Sequence, residues 1–119
     1  MNYRKKIGQF GENLVCDFLT KKGYKIIAQN VKVGFQEIDI ISKKDNLIVF
    51  VEVKTRTNNN FDEAEFAVDN FKIANLKKAI EKYILVNDLN EENIRLDLIV
   101  VDIKQANKNA NIKHYLDII

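Results

Sequence analysis

Gln36-Glu37-Ile38-Asp39-Ile40-Ile41-Ser42-Lys43-Lys44-Asp45-Asn46-Leu47-Ile48-Val49-Phe50-Val51-Glu52-Val53-Lys54-Thr55-Arg56 is the stretch from which the rest of the chain can be ordered. Ile38 to Ser42 and Leu47 to Val53 carry the β-branched and aromatic side chains of strands. Lys43-Lys44-Asp45-Asn46 between them is polar, and Asp-Asn tolerates the positive φ of a two-residue hairpin turn. Side chains alternate along a strand. Glu37, Asp39 and Ile41 therefore share one face of the first strand, and Ile48, Phe50, Glu52 and Lys54 share one face of the second. With Asp45-Asn46 as the turn, Lys44 sits opposite Leu47, and counting outward sets Asp39 opposite Glu52. Directly opposed side chains have Cβ atoms about 5 Å apart.

Two carboxylates so placed repel one another unless something lies between them. A divalent cation is the natural occupant, because hard cations take carboxylate oxygens. Lys54 adds an ammonium two residues further along. The competing reading is an exposed strand end, with Glu37, Asp39, Glu52 and Lys54 in a cross-strand ion-pair ladder. Ile48 and Phe50 on the same face are apolar, so the charges begin where a buried face ends, as at the edge of a cleft.

Asp39 followed thirteen residues later by Glu52-Val53-Lys54 resembles the PD-(D/E)XK nuclease signature. The wider string Glu37-Ile38-Asp39-Ile40-Ile41 with Val49-Phe50-Val51-Glu52-Val53-Lys54-Thr55-Arg56 resembles the YraN family, small and poorly characterised bacterial proteins similar to archaeal Holliday-junction resolvases. The likeness covers nearly the whole chain. One departure is that Gln36 stands where the family usually has Gly. The resemblance implies an α/β fold: a restriction-endonuclease-like αβββαβ core with a central mixed sheet flanked by helices. It implies an Mg²⁺- or Mn²⁺-dependent endonuclease hydrolysing phosphodiester bonds in DNA, with branched or recombination and repair intermediates as substrates. Asp39, Glu52 and the backbone carbonyl of Val53 would hold the metal, and Lys54 would orient or help deprotonate the attacking water. A helical glutamate near the N-terminus adds a third acid in resolvase-like families, and Glu12 within Gly11-Glu12-Asn13 matches it. By residue pattern alone, Glu12 reads equally as a surface glutamate at the edge of an apolar stripe. A homodimer is implied by the same analogy, and no dimer seam is visible in the sequence.

Length and composition bound these readings. At 119 residues the chain reads as one domain, 1–119, able to bury roughly two-thirds of its unfolded surface. Its 46% hydrophobic and 30% charged residues are those of an ordinary globular protein. A net charge of only +2 gives no argument for strong nucleic-acid binding from the total, although a metal among the acids would reverse their local sign. The single cysteine, Cys16, excludes an internal disulfide and a cysteine-based zinc site, and suits a reducing cytoplasm. No apolar run reaches the roughly 20 residues that span a bilayer, and the basic N-terminus has no apolar segment behind it.

In chain order, Tyr3 to Lys22 reads as a helix on the recurrence of Ile7, Phe10, Leu14 and Phe18 with the parallel row Val15 and Leu19, stopped by Gly23. Tyr24 to Gln29 reads as a strand with Ile26 and Ile27 buried on opposite faces, and Asn30 to Gly34 as its connection. After the hairpin, Thr55 to Phe61 reads as a polar loop that contains the tract Asn58-Asn59-Asn60, and Asp62 to Val68 is ambiguous. From Asp69 as N-cap, Ile73, Leu76, Ile80 and Ile84 mark a second helix, with Phe71, Ala79 and Tyr83 at its flanks. Ile94 to Ile103 is apolar on both faces and so reads as an interior strand. Gln105 to Asn111 reads as loop, and Ile112 to Ile119 as an edge strand. A helix between the third and fourth strands is a crossover, which makes those strands parallel.

The remaining candidates are weaker. Glu37 reads as an outer partner of Asp39 or a salt-bridge residue, and Arg56 as a phosphate contact or plain surface. Lys72, near the start of the second helix, faces nucleic acid or solvent. Tyr24, Phe61 and Phe66 read as packing, and His114, without a second His or Cys near it, as structural. No phosphate-cradling Gly-rich loop or Ser/His/Asp set is present. Three functions stay open at this level: a metal-dependent DNA endonuclease, a non-catalytic nucleic-acid-binding module on the same scaffold, and a protein-interaction domain.

Overall fold

The computed structural model describes residues 2–57, 70–90, 93–104 and 109–119, with the Arg4 side chain left aside. The expectations for 58–68, including Phe61 and Phe66, and for Asp69 as N-cap lie outside the described residues.

Helix α1 runs Tyr3–Lys21, and Asn2 caps it by accepting the Lys5 N–H at 2.9 Å. At its other end Gly23, with φ of 93°, lets the chain reverse. Tyr24 N–H then reaches the Leu19 carbonyl and Gly23 N–H the Thr20 carbonyl, at 2.9 and 3.1 Å. This pair of bonds satisfies carbonyls that a helix end would leave bare.

Strand β1, Lys25–Val33, continues through the residues expected to be a connection. It turns at Gly34-Phe35 into β2, Gln36–Lys44. Ile27 is 44% exposed rather than buried, because β1 is an edge strand with α1 covering only its other face. Strand β3, Leu47–Arg56, takes in Thr55 and Arg56, which the sequence reads as loop. Helix α2, Asn70–Val86, buries Leu76, Ala79, Ile80 and Ile84. Strand β4 is Ile94–Lys104 and β5 is Asn109–Tyr115. β5 starts earlier and ends earlier than expected, since an edge strand exposed over much of its length need not announce itself by apolar alternation.

The described strands form one mixed sheet in the order β1-β2-β3-β4-β5. β3 and β4 are parallel and the other neighbours antiparallel, as a helical crossover between β3 and β4 requires. The hairpin register runs from Lys44↔Leu47 to Ile40↔Val51, with Asp45 at φ 55° in the turn. α1 covers one face through Val15 and Leu19 packed on Ile40, Val49, Val51, Ile99 and Val101. α2 covers the other, against Ile38, Ile41, Phe50 and Leu96. β3 and β4 are thus buried on both sides, and each such side chain contributes about 1.5–3 kcal/mol of burial free energy.

At the foot of β4 lies a buried polar knot. Asp97, with no exposed surface, accepts from Arg95 Nε and Nη2 at 2.8 Å each and from the Asp117 N–H at 2.9 Å. His114 Nε2 lies 2.7 Å from its Oδ2. Burial pushes the Asp97 carboxyl up, but His114, Arg95 and the Asp117 amide outweigh it and hold the group below its ordinary value. The knot ties the chain end to the sheet, a structural duty for His114. No helix among the described residues is long and apolar enough to cross a membrane.

Candidate acidic centre

The site is made where β2 and β3 part. Their ladder ends at Ile40↔Val51, and the next group of β2 to meet β3 is a side chain: Asp39 Oδ2 accepts the Val53 N–H at 2.8 Å. The carboxylate takes a backbone amide that a continuing ladder would otherwise occupy. Across β1, Asn30 at φ 51° is passed over between the pairs Gln29↔Ile40 and Val31↔Ile38, which keep one register; the shift in the ladder lies further back, between Ile26 and Ala28. The disturbed backbone lets Ile38 pack on the α2 side while Ile40 packs on the α1 side, and Asp39 lies between them.

Carboxylate oxygens of Glu12, Glu37 and Asp39 lie within 4.8 Å of one another. Asn30 holds two of them, its Nδ2 donating to Glu12 Oε1 at 2.7 Å and to Glu37 Oε1 at 3.0 Å. The Glu52 carboxyl stands close enough to Asp39 to raise the proton affinity of Asp39. Glu52 is buried at 7% exposure, its Oε2 has no hydrogen-bond partner among the described residues, and the nearest cation is Lys72 Nζ at 3.6 Å. Asp39 is the hub: Glu12 and Glu37 stand on one side of it and Glu52 on the other.

Glu12 reaches this point because α1 lies very close to β3. A Cβ at Gly11 would come within 2.8 Å of Thr55 Cγ2 and 2.9 Å of Thr55 Cβ, so only glycine lets the helix approach that far. Lys54 is half-buried, aligned with Val100 of β4 and two residues beyond Glu52 on β3. Arg56 is aligned with Asp102, which is buried at 1% with neither oxygen hydrogen-bonded among the described residues.

The electrostatics follow from crowding acids in a half-buried place. Burial, then the neighbouring Glu52 carboxyl, push the Asp39 carboxyl up to about 8 against the pull of the Val53 amide. Burial pushes Glu12 up to about 6; the Asn30 hydrogen bond opposes this, and the charges of Asp39 and Glu37 add to it. Without a counter-charge the centre keeps protons at pH values where free carboxylates have lost them. The orphaned Glu52 oxygen and the oxygen-only donor set fit a hard divalent cation such as Mg²⁺ or Mn²⁺.

Two features were not legible from the pattern. Glu37 belongs with Glu12 and Asp39, closer in than an outer partner. Asn30 has one local signal, an Asn within a stretch rich in β-branched residues, four positions before a Gly.

The domain so defined is α/β, with a mixed sheet that opens around a cluster of carboxylates. By sequence the chain belongs to the uncharacterised protein family UPF0102, the YraN family, whose model matches residues 11–101. A UPF0102 protein of Flavobacterium psychrophilum is 43% identical over 93% of this chain and 91% of its own. One of Dictyoglomus thermophilum is 39% identical over 87% of this chain and 88% of its own. Among solved structures, Pyrococcus furiosus SfsA in complex with Ca²⁺ aligns over 95% of this chain and 64% of that chain. Its TM-score is 0.41 at 14% identity, a likeness too loose to bear on chemistry.

Proposed function

We propose that this protein is a metal-dependent endonuclease that hydrolyses phosphodiester bonds in DNA, with branched recombination or repair intermediates as the substrate class, working in the cytoplasm. The observation that carries this reading is the convergence of Glu12, Glu37 and Asp39 within 4.8 Å, with the buried Glu52 carboxyl beside Asp39. Asp39, Glu12 and Glu52, with the Val53 carbonyl and Glu37, are the groups that would hold Mg²⁺ or Mn²⁺. When bound, such an ion supplies charge neutralisation at the phosphate and a more acidic water. The chain's own residues do the rest. Asn30 and the Val53 amide orient the carboxylates. Lys54, following Glu52 along β3, orients the water and balances charge on the phosphate. Lys72, 3.6 Å from Glu52, and Arg56 are the phosphate contacts assigned to the protein.

A second reading has its own support. Lys72 lies 3.6 Å from Glu52 and neutralises it in part, so the scaffold could bind nucleic acid without turning it over. The two readings part on one experiment. Flapped and four-way DNA incubated with Mg²⁺ or Mn²⁺ is expected to be cut by the native chain and left whole by Asp39→Asn and Lys54→Ala. Salt-dependent binding with no cleavage of any DNA or RNA, unchanged in Asp39→Asn, would establish the non-catalytic module.

A further inference from the structure

At the tip of the β1–β2 hairpin stands Phe35, 111% exposed. The turn is closed by Val33↔Gln36, and Gly34, at φ 63°, supplies the positive φ at its first central position, as in a type II′ turn. Strand and turn are ordered by pairing on both sides, so the ring is held out rather than left loose. An ordered, fully hydrated phenyl ring gains nothing for the fold.

Its neighbourhood tells which partner suits it. Between the hairpin and α2 runs an open groove of about 390 Å³, lined by Val33, Phe35 and Gln36 on one side and Asn75, Lys78 and Lys82 on the other. Lys78 and Lys82 are exposed, as is Lys32 on the hairpin. Within the groove the charged side chains are both cationic. An aromatic platform beside lysines is the pairing that single-stranded nucleic acid uses: bases stack on the ring while cations track the backbone. The distance also suits the acidic centre. Asp39 lies four residues from Phe35 along β2, roughly 13 Å at 3.3 Å per residue, or about four rises of 3.4 Å along a nucleic-acid strand.

We propose that the hairpin tip and its lysine-lined groove form a subsite for unpaired nucleotides next to a branch point, in which Phe35 stacks on a base and Lys78 and Lys82 hold the flanking phosphates. The subsite presupposes the nucleic-acid reading of the acidic centre and specifies the substrate: a duplex carrying a single-stranded flap. It selects such DNA over plain duplex, whose bases are already stacked on one another.

The test is equilibrium binding of the full chain, in Ca²⁺, to a flapped duplex bearing 2-aminopurine as its first unpaired base. The native chain is expected to bind the flap more tightly than the matching blunt duplex and to change the 2-aminopurine fluorescence. Phe35→Ala is expected to weaken flap binding by about 5- to 150-fold, to abolish the fluorescence change and to leave the thermal midpoint unaltered; Phe35→Trp keeps both binding and signal. Lys78→Gln and Lys82→Gln each lower the salt slope of binding by about 0.7. Flap affinity and fluorescence unchanged in Phe35→Ala, or a native chain that binds no flap, overturns the subsite. So does a native dimer that Phe35→Ala converts to monomer with DNA binding intact, since the tip then seats a second copy. Failure of the nuclease reading looks different: flap binding still depends on Phe35, yet no metal brings about cleavage.

Discussion

Asn30 shows how much one residue carries at the acidic centre. Its backbone takes a left-handed turn inside a strand, and its amide spans Glu12 and Glu37. Asparagine is among the few side chains that tolerate that backbone, where most others cost about 1 kcal/mol or more. Asn30→Gly keeps the conformation and deletes the amide; Asn30→Ala adds strain to the same loss. Because the Asn30 hydrogen bond lowers the Glu12 pKa, both variants are expected to move Glu12 above its present value of about 6, as followed by carboxyl-carbon NMR titration. Only Asn30→Ala should also lose about 1 kcal/mol in urea unfolding. A Glu12 titration that stays put in both would mean that the amide does not govern it. Asp97 behaves in the opposite sense. Its folded pKa is depressed, so its contribution to stability is present above the unfolded value near 4 and lost as the pH falls through the folded value. Asp97→Asn leaves the half-buried Arg95 against a neutral partner and is expected to cost about 1.5–3 kcal/mol at pH 7. Its shortfall against the native chain should shrink in acid, and a shortfall independent of pH would show that packing, not charge, is what Asp97 supplies.

Among the elements, the seating of α1 on β3 decides whether Glu12 reaches Asp39. Gly11→Ala forces the helix away from Thr55, whose side-chain carbons lie 2.8 and 2.9 Å from where the new methyl would go. The expected cost is about 1–3 kcal/mol, with weaker Mn²⁺ binding by calorimetry as Glu12 retreats. Thr55→Gly in the same chain removes the clash and should recover Mn²⁺ affinity despite its own strand penalty; failure to recover would locate the damage elsewhere in α1. The register of β2 and β3 was legible because turn chemistry and β-branched runs are local, and the parallel β3–β4 pair because a helical crossover leaves little choice. The α1 contact was not, since no spacing rule records which glycine meets which threonine across the fold. Nor was the centre of the α1 stripe: Val15 and Leu19 are fully buried while Phe10 is 52% exposed, since Phe10 lies roughly 140° round the helix from Val15 at about 100° per residue. The parting of β2 from β3 at Asp39 escaped for a similar reason. Strand alternation assumes an even ladder, and a carboxylate replacing a ladder bond is visible only in three dimensions.

At the scale of the whole molecule, a chain with a net charge of only +2 concentrates four carboxyl groups at one place, and its stability should register that. Asp39 near 8 and Glu12 near 6 sit above the ordinary values of about 4. Between pH 4 and 8 the folded chain therefore holds protons that the unfolded chain has released. Stability must fall as pH rises across that window, by an amount on the order of a few kcal/mol. Asp39→Asn removes the largest part of this penalty, so the variant should be more stable than the native chain at pH 8 and no more stable at pH 4.5. A divalent cation held as proposed would act on the same groups from the other side, since it would bind the deprotonated centre and only in the folded state. At a hundredfold excess over its Kd it should restore about 2.7 kcal/mol, more effectively at pH 8 than at pH 6, and not at all in Asp39→Asn. Thermal midpoints of both chains across pH 4.5 to 8.5, in EDTA and in Mn²⁺, measure every part of this. If the native midpoint is flat with pH, equals that of Asp39→Asn and ignores Mn²⁺, the carboxyl groups are ordinary solvated acids. The sheet then parts at Asp39 for some purpose other than holding a cation.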